Sequence, residues 1–369
     1  MSIDHGVQFS RTFSWLQRHA SSFLSVLSIP YGWAVHARGK FYDDGWLTSR
    51  RLPCPVISVG NLTVGGTGKT PMVMWLANWL RARGQRVGVL SRGYRRKSTA
   101  ERLLVSDGET CLVEADEAGD EPYLIARNCP GVVVAVGKNR YDVGRWVFDQ
   151  MHIDCFILDD GFQHLRLYRD CDFLLIDALD KKGIQGLLPR GRLREPVQAA
   201  RRASAILVTR ADQASNLTEF LLSLHSEIPK DFPSILVRFD CQFVRHVKTG
   251  ESRSTEWLMG KRVVLACGIG NALSFRRTVD CLNVSIINVL EFPDHVTYTD
   301  DRIERIRKLA RREKADLVLT TEKDGVKLAP YLAELEQWWA VTLEAVFEEG
   351  GEHAEDLLTR LPLNFQRHA

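Results

Sequence analysis

Gly68-Lys69-Thr70 stands where an apolar run, Val56-Ile57-Ser58-Val59, gives way to a helical repeat of Met72, Leu76 and Leu80. That order of residues makes a phosphate cradle. Backbone N–H groups of a glycine turn point at an anion, a lysine adds a point charge, and a threonine hydroxyl holds Mg²⁺. Gly65, Gly66, Thr67, Gly68, Lys69 and Thr70 are therefore the expected nucleotide-phosphate residues, with Thr70 also a metal ligand. The general phosphate-loop spacing asks for glycine where this chain has Thr63, and Gly65 and Gly66 supply the flexibility instead.

Other residues carry chemistry that fits beside such a loop. The run Phe156-Ile157-Leu158 ends in Asp159-Asp160-Gly161-Phe162-Gln163-His164. An aspartate at a strand end next to a phosphate loop holds Mg²⁺ directly or through water. Adjacent strand residues face opposite ways, so one of the two aspartates bears on the metal. Gln163 and His164 are of types that orient a hydroxyl or a phosphate, although a hydrogen-bonded structural histidine explains His164 equally well. The segment Pro189-Arg190-Gly191-Arg192-Leu193-Arg194-Glu195-Pro196 reads as a loop whose arginines suit bidentate phosphate contacts, with Glu195 a further candidate for Mg²⁺. Asp120, in Gly119-Asp120-Glu121-Pro122 near a helix start, is placed either to accept a proton from an attacking hydroxyl or simply to cap. His295, in Phe292-Pro293-Asp294-His295 after a strand, is a possible partner for that carboxylate. Thr209-Arg210-Ala211-Asp212 resembles the guanine-reading [NT]-K-x-D, with arginine for lysine. It supports a rival reading, a GTPase-type switch or metallochaperone.

These residues need a frame. Buried apolar runs alternate with helical patterns from residue 56 to about 208, which predicts a parallel sheet covered on both faces. A second α/β series follows. The expected organisation is an N-terminal amphipathic helix over 1–30, a P-loop NTPase-like domain over 31–235, an extended-strand linker over 236–255, and a smaller α/β domain over 256–369. A chain of 369 residues is long enough for two domains. With 49 basic and 46 acidic side chains the net charge is +3, too balanced to call for nucleic acid. The 8 cysteines never fall in C-x-x-C and read as reduced thiols rather than disulfides or zinc ligands. From His19 to Ala37 there is no charged residue, but the serines and Pro30 argue against a spanning helix. Phe13, Leu16, Ala20, Phe23, Leu24 and Leu27 recur at 3–4 spacing beside Arg11 and Arg18. That stripe suits a helix lying in a membrane interface, or one packed on its own domain.

Taken together, these motifs resemble one family. They are Val59-Gly60-Asn61-Leu62-Thr63-Val64-Gly65-Gly66-Thr67-Gly68-Lys69-Thr70-Pro71, Ser91-Arg92-Gly93-Tyr94, Gly119-Asp120-Glu121-Pro122, Lys138-Asn139-Arg140, Asp159–His164, Pro189–Pro196, Phe292–His295 and Thr321-Glu322-Lys323-Asp324. The ordered set is similar to the tetraacyldisaccharide 4'-kinase family of lipid A synthesis, in which Thr63 is normal. The resemblance implies transfer of the ATP γ-phosphate to the 4'-hydroxyl of a tetraacyl glucosamine disaccharide 1-phosphate, with Mg²⁺. It implies work at the cytosolic face of a Gram-negative inner membrane, with the lipid substrate and the membrane surface as partners and no obligate protein partner evident. It also implies two α/β domains joined by extended strands and a membrane-associated N-terminal helix. Carried onto this chain, Asp120 is the base and His295 its partner across a cleft. Lys69 and Thr70 hold phosphates and Mg²⁺, with Asp160 and Glu195 as further metal ligands. Arg92, Lys138, Arg140, Gln163, His164 and Arg194 approach the substrate. Two departures from the family pattern, Ala272 and Val296, leave the implied chemistry untouched.

Overall fold

A computed structural model describes residues 21–180, 183–228 and 232–363. The described chain forms two compact units, one from Phe239 to Glu344 and the other from the chain on either side of it.

The larger unit is built on strands whose every residue is buried. They are β1 (Val56–Asn61), β2 (Val87–Ser91), β4 (Val133–Gly137), β5 (Cys155–Asp159), β6 (Cys171–Asp177) and β7 (Ala205–Thr209), joined by the edge strand β3 (Arg102–Asp107) and by β8 (Ser234–Asp240). Strands apolar on both faces need cover on both, which is what parallel strands with helical crossovers provide. In the order β8-β7-β6-β1-β5-β2-β4 they run parallel, and β3 closes one edge antiparallel to β4. β1 lies between β6 and β5, with Val59 in register with both Asp159 and Phe173. The chain order thus turns around β1, and ligands of open α/β sheets sit at the carboxyl ends of strands at such a point. The helix Lys69–Ala82 buries Met72, Val73, Leu76, Ala77 and Leu80. One core cluster joins Leu174, Ile176, Ile206 and Val208 to Phe220, Leu224 and Leu193; another joins Ala135, Phe156 and Leu158 to Val143 and Val147. Each such large side chain is worth about 1.5–3 kcal/mol of transfer free energy.

The smaller unit carries a second sheet, made of β9 (Phe243–His246), β10 (Ser252–Ser254), β11 (Arg262–Cys267), β12 (Ser285–Glu291), β13 (Leu317–Thr321) and β14 (Trp338–Val341). Its order is β10-β9-β14-β13-β11-β12, with β12, β11, β13 and β14 parallel and β9 antiparallel to its neighbours. The expected division at 235 and 256 differs from this at both ends. β9 and β10, expected as linker, are members of the second sheet. After Glu344 the chain returns to the larger unit: β15 (Glu344–Glu349) lies beside β8, and the helix Gly351–Thr359 follows it. The second unit therefore does not run to the end of the chain.

The N-terminal helix is described from Ser21 to Asp43 and continues through Pro30. Phe13, Leu16, Ala20, Arg11 and Arg18 lie outside the described residues. Its inward face is tied to the larger unit. The Tyr31 hydroxyl donates to the Arg194 carbonyl at 2.8 Å, and Arg38 donates to the Gln163 carbonyl at 2.8 Å. A Cβ on Gly32 would stand 3.0 Å from Leu187. On the other side Val26, Ile29 and Trp33, at 3–4 spacing, are 63%, 57% and 77% exposed. Among the described residues no helix is long and apolar enough to cross a membrane.

Candidate active site

The carboxyl ends of the parallel strands carry nearly all the residues singled out in the larger unit. β1 runs into the phosphate loop. Gly68 closes it in the left-handed region at φ 86, the conformation glycine adopts without cost, and caps the helix that Lys69 opens. Gly65 is also at positive φ, 129, and Gly66 is exposed. The loop has a second wall. Val64 N–H donates to the Arg192 carbonyl at 2.8 Å, Arg194 N–H to the Leu62 carbonyl at 2.7 Å, and Thr63 bridges Leu193 antiparallel. The arginine segment is a loop, laid against the phosphate loop by these bonds and a single antiparallel bridge. Its alternation puts Leu193 into the core and Arg192 and Arg194 on the other face.

At the end of β5 the two aspartates separate as the strand geometry requires, but their surroundings decide their chemistry. Asp160 adopts φ 51 and accepts from Arg194 at 3.0 and 2.8 Å, with the Lys69 ammonium 3.6 Å away. Burial pushes its carboxyl up, but Lys69 and Arg194 outweigh burial and hold it below the ordinary range. Asp159 is buried and accepts from the Ser91 hydroxyl at 2.7 Å; its other oxygen has no hydrogen-bond partner. Burial, then the neighbouring Glu121 carboxylate, raises Asp159 to about 7.

The folded chain holds the Asp159 proton more tightly than the unfolded chain, so this contribution to stability is complete below the ordinary value of 3.8 and is lost as pH rises through about 7. Asp159→Asn keeps an oxygen for Ser91 and removes the charge. Its melting temperature relative to wild type should therefore rise between about pH 4 and about pH 7 and level off above that. A constant difference across that range would show that Asp159 is not the group being titrated.

Gln163 joins the same network. It donates to the Asn61 carbonyl at 3.0 Å and accepts from Arg194 at 3.3 Å. Burial, then the nearby Arg140, depresses His164 to about 3, so it is neutral at physiological pH. Its Nε2 is buried without a partner. Arg140 is buried as well. Burial, then Arg92, lowers it to about 10, which leaves it charged near neutrality. One of its nitrogens donates to the Lys138 carbonyl at 2.6 Å, while Nε has no partner. A buried cation with an unspent donor fits an anionic ligand. Arg92 and Lys138 are exposed at the ends of β2 and β4. Glu195 is buried, with one oxygen held by Arg202 at 2.7 Å and the other unpartnered.

Gly119, at φ 94, separates the short helix Ala115–Ala118 from the helix Asp120–Asn128, so Asp120 opens the second. In the smaller unit His295 has φ 57, and its Nε2 lies 3.3 Å from the Lys323 ammonium. Lys323 is also 3.6 Å from Asp294.

The model of the tetraacyldisaccharide-1-P 4'-kinase family matches residues 20–362. The chain belongs to this family. The tetraacyldisaccharide 4'-kinase of Pelobacter propionicus is 41% identical to it over 311 residues, 84% of each chain. That of Geobacter metallireducens is 40% identical over 89% of this chain and 95% of its own. A solved structure, LpxK from Aquifex aeolicus in complex with ATP, superposes with a TM-score of 0.76 at 35% identity, over 92% of this chain and 98% of that one.

As a tetraacyldisaccharide 4'-kinase the chain is a lipid A kinase, and the switch or metallochaperone reading falls away. The residues behind that reading have other work. Arg210 is buried against Asp177 at 2.6 Å, and the Thr209 hydroxyl donates to the Thr67 carbonyl at 3.0 Å, bracing the phosphate loop. The site in the larger unit also contains residues the sequence reading gave no role: Ser91, Glu121 and Asp180. Arg-Leu-Arg with an apolar centre already carried the alternation that separates Leu193 from the two arginines.

Proposed function

We propose that this kinase transfers the ATP γ-phosphate to the 4'-hydroxyl of its lipid substrate using Asp120 as the base, with His295 acting on the same proton. Positioning and cations do most of the work, because the transition state spreads charge over the phosphoryl oxygens. The observation that carries the reading is the closed set of Lys69, Arg194 and Asp160 beside a glycine loop, 3.6 Å and 2.8 Å apart. Lys69 and the loop N–H groups hold the phosphate chain. Asp160 holds Lys69 and Arg194 in place. Arg140, with its unspent Nε, meets an anionic group of the substrate, and Arg92 and Lys138 flank it. Asp120 takes the hydroxyl proton as the oxygen attacks.

The enzyme uses ATP with Mg²⁺, and the residues fit the metal. Among the described residues no three His, Cys, Asp or Glu form a ready cluster, which suits an ion that takes most of its ligands from phosphates and water. Thr70, the unpartnered oxygen of Glu195 and that of Asp159 are available to it. Asp160 becomes available once Lys69 turns to phosphate. When bound, Mg²⁺ neutralises charge on the β- and γ-oxygens. The test is labelled ATP with Mg²⁺ and a disaccharide 1-phosphate lipid in micelles. Label on the 4'-position supports the assignment, and ATP consumption without lipid phosphate rejects it.

The same reading places the enzyme at the cytosolic membrane surface. The helix Ser21–Asp43 is pinned on one face and leaves Val26, Ile29 and Trp33 open on the other. Each of these side chains gains about 1.5–3 kcal/mol on full burial in an apolar phase. Ile29→Asp with Trp33→Asp should abolish flotation with anionic vesicles while circular dichroism stays unchanged. The rate on micellar lipid should fall through apparent KM. Flotation equal to wild type would mean that this face does not meet the membrane.

A further inference from the structure

The Arg192 guanidinium lies directly against Gly65, so closely that a Cβ there would overlap it. Its Nε and one terminal nitrogen both donate to the Val64 carbonyl, at 2.9 and 2.6 Å. The other terminal nitrogen is 3.2 Å from Asp180, which in turn accepts from Gly183 N–H at 3.0 Å. The bonds to Val64 use two of the five N–H groups a guanidinium carries, and Asp180 holds the far terminal nitrogen as an ion pair. Together they fix its plane and leave at least one N–H on each terminal nitrogen unspent. Arg192 is also the most open of the three cations around the loop: its side chain is 42% exposed, against 25% for Arg194 and 13% for Lys69.

Lys69 and Arg194 meet Asp160 at the floor of the site, where Lys69 serves the phosphate chain from within. A phosphoryl group that is to meet an incoming hydroxyl has to face the open side of the loop, where Gly65 and Gly66 form the rim. The cation at that rim is Arg192. We propose that Arg192, anchored by Val64 and Asp180, is a cis arginine that contacts the γ-phosphoryl and stabilises the charge that develops on it during transfer. Gly65 is the residue that leaves room for it. The assignment rests on the kinase reading above. No proton moves through Arg192, which stays a cation throughout. Its gain is electrostatic and greatest in the transition state, when the phosphoryl oxygens carry the redistributed charge.

The test uses the full-length enzyme and three variants: Arg192→Gln, Arg192→Lys and Gly65→Ala. The measurements are kcat on the micellar lipid, ADP affinity with Mg²⁺, and the tightening of ADP binding when aluminium fluoride is added as a mimic of the transferring phosphoryl. Arg192→Gln should lower kcat by about 10³-fold or more. It should leave ADP affinity within about twofold and lose the fluoride-dependent tightening. Arg192→Lys should recover little, because a point charge cannot keep both anchors and offer a planar edge. Gly65→Ala, which displaces the arginine and also strains the loop at φ 129, should lower kcat and lose the fluoride-dependent tightening as Arg192→Gln does, with ADP affinity reduced as well. If Arg192→Gln loses ADP affinity in step with kcat, the arginine only shapes the loop and the proposal fails. It fails also if kcat stays within about threefold of wild type. If wild type phosphorylates no lipid yet shows fluoride-dependent tightening that Arg192→Gln lacks, the substrate reading is wrong and the arginine assignment stands.

Discussion

Lys69→Ala is expected to lower kcat by about 10²–10⁴-fold, the range seen when one preorganised electrostatic donor is removed from a transition state. Two features make the effect large. Lys69 is the first residue of its helix, so its ammonium acts together with the N–H groups of the helix end on the same anion. It is also only 13% exposed, where water does little to replace a lost charge. Removal has a second consequence at Asp160, which keeps Arg194 but loses one of the two cations that hold its carboxyl down. Lys69→Ala should therefore also weaken ATP binding, whereas Lys69→Arg should bind ATP and turn over slowly. Steady-state kinetics on micellar lipid with nucleotide titration separates the two. Turnover within threefold of wild type for Lys69→Ala would mean that the ammonium does not face the β/γ-phosphates.

The parts of this site that were legible in the sequence are those fixed by local pattern. The glycine turn after an apolar strand, the helix beginning at Lys69 and the strand ending at Asp159 each follow from residue type and period over a few positions. What was not legible depended on distant pairing or on one backbone angle. The Glu344–Glu349 strand sets Ala345, Val346 and Phe347 together between glutamates with no period-2 alternation, and only its partner β8 shows that the chain has returned to the first sheet. The separate roles of Asp159 and Asp160 follow from the left-handed turn at Asp160, which sends its carboxylate to Lys69 and Arg194 while Asp159 stays with Ser91. An arginine-rich, Gly/Pro-punctuated stretch looks like a solvated loop until its backbone is seen to hydrogen-bond with Leu62 and Val64. Composition identified its chemistry, but only the tertiary partner fixed which arginine goes where.

The proposed proton acceptor, Asp120, gives the second large effect. Asp120→Asn preserves the size and polarity of the side chain at the start of the helix Asp120–Asn128 and removes its basicity. Its kcat should fall by about 10²–10⁴-fold with ATP affinity nearly unchanged. Equal damage to ATP binding would point instead to a role in holding metal or nucleotide. His295 enters the argument through its tautomer. The Lys323 ammonium has only protons to offer, so at 3.3 Å the His295 Nε2 must be the acceptor and Nδ1 carries the ring proton. A histidine fixed in that form has one N–H to donate. If both residues serve one proton transfer, their losses cannot multiply. The Asp120→Asn, His295→Ala double variant should be less impaired than the product of the two single effects, as for residues that act as a unit. Lys323→Met should reduce kcat in the same direction by a smaller factor and shift the imidazole ¹⁵N signals away from the Nδ1–H pattern. Fully multiplicative losses in the double variant would separate His295 from the base and return it to a structural role in its own loop.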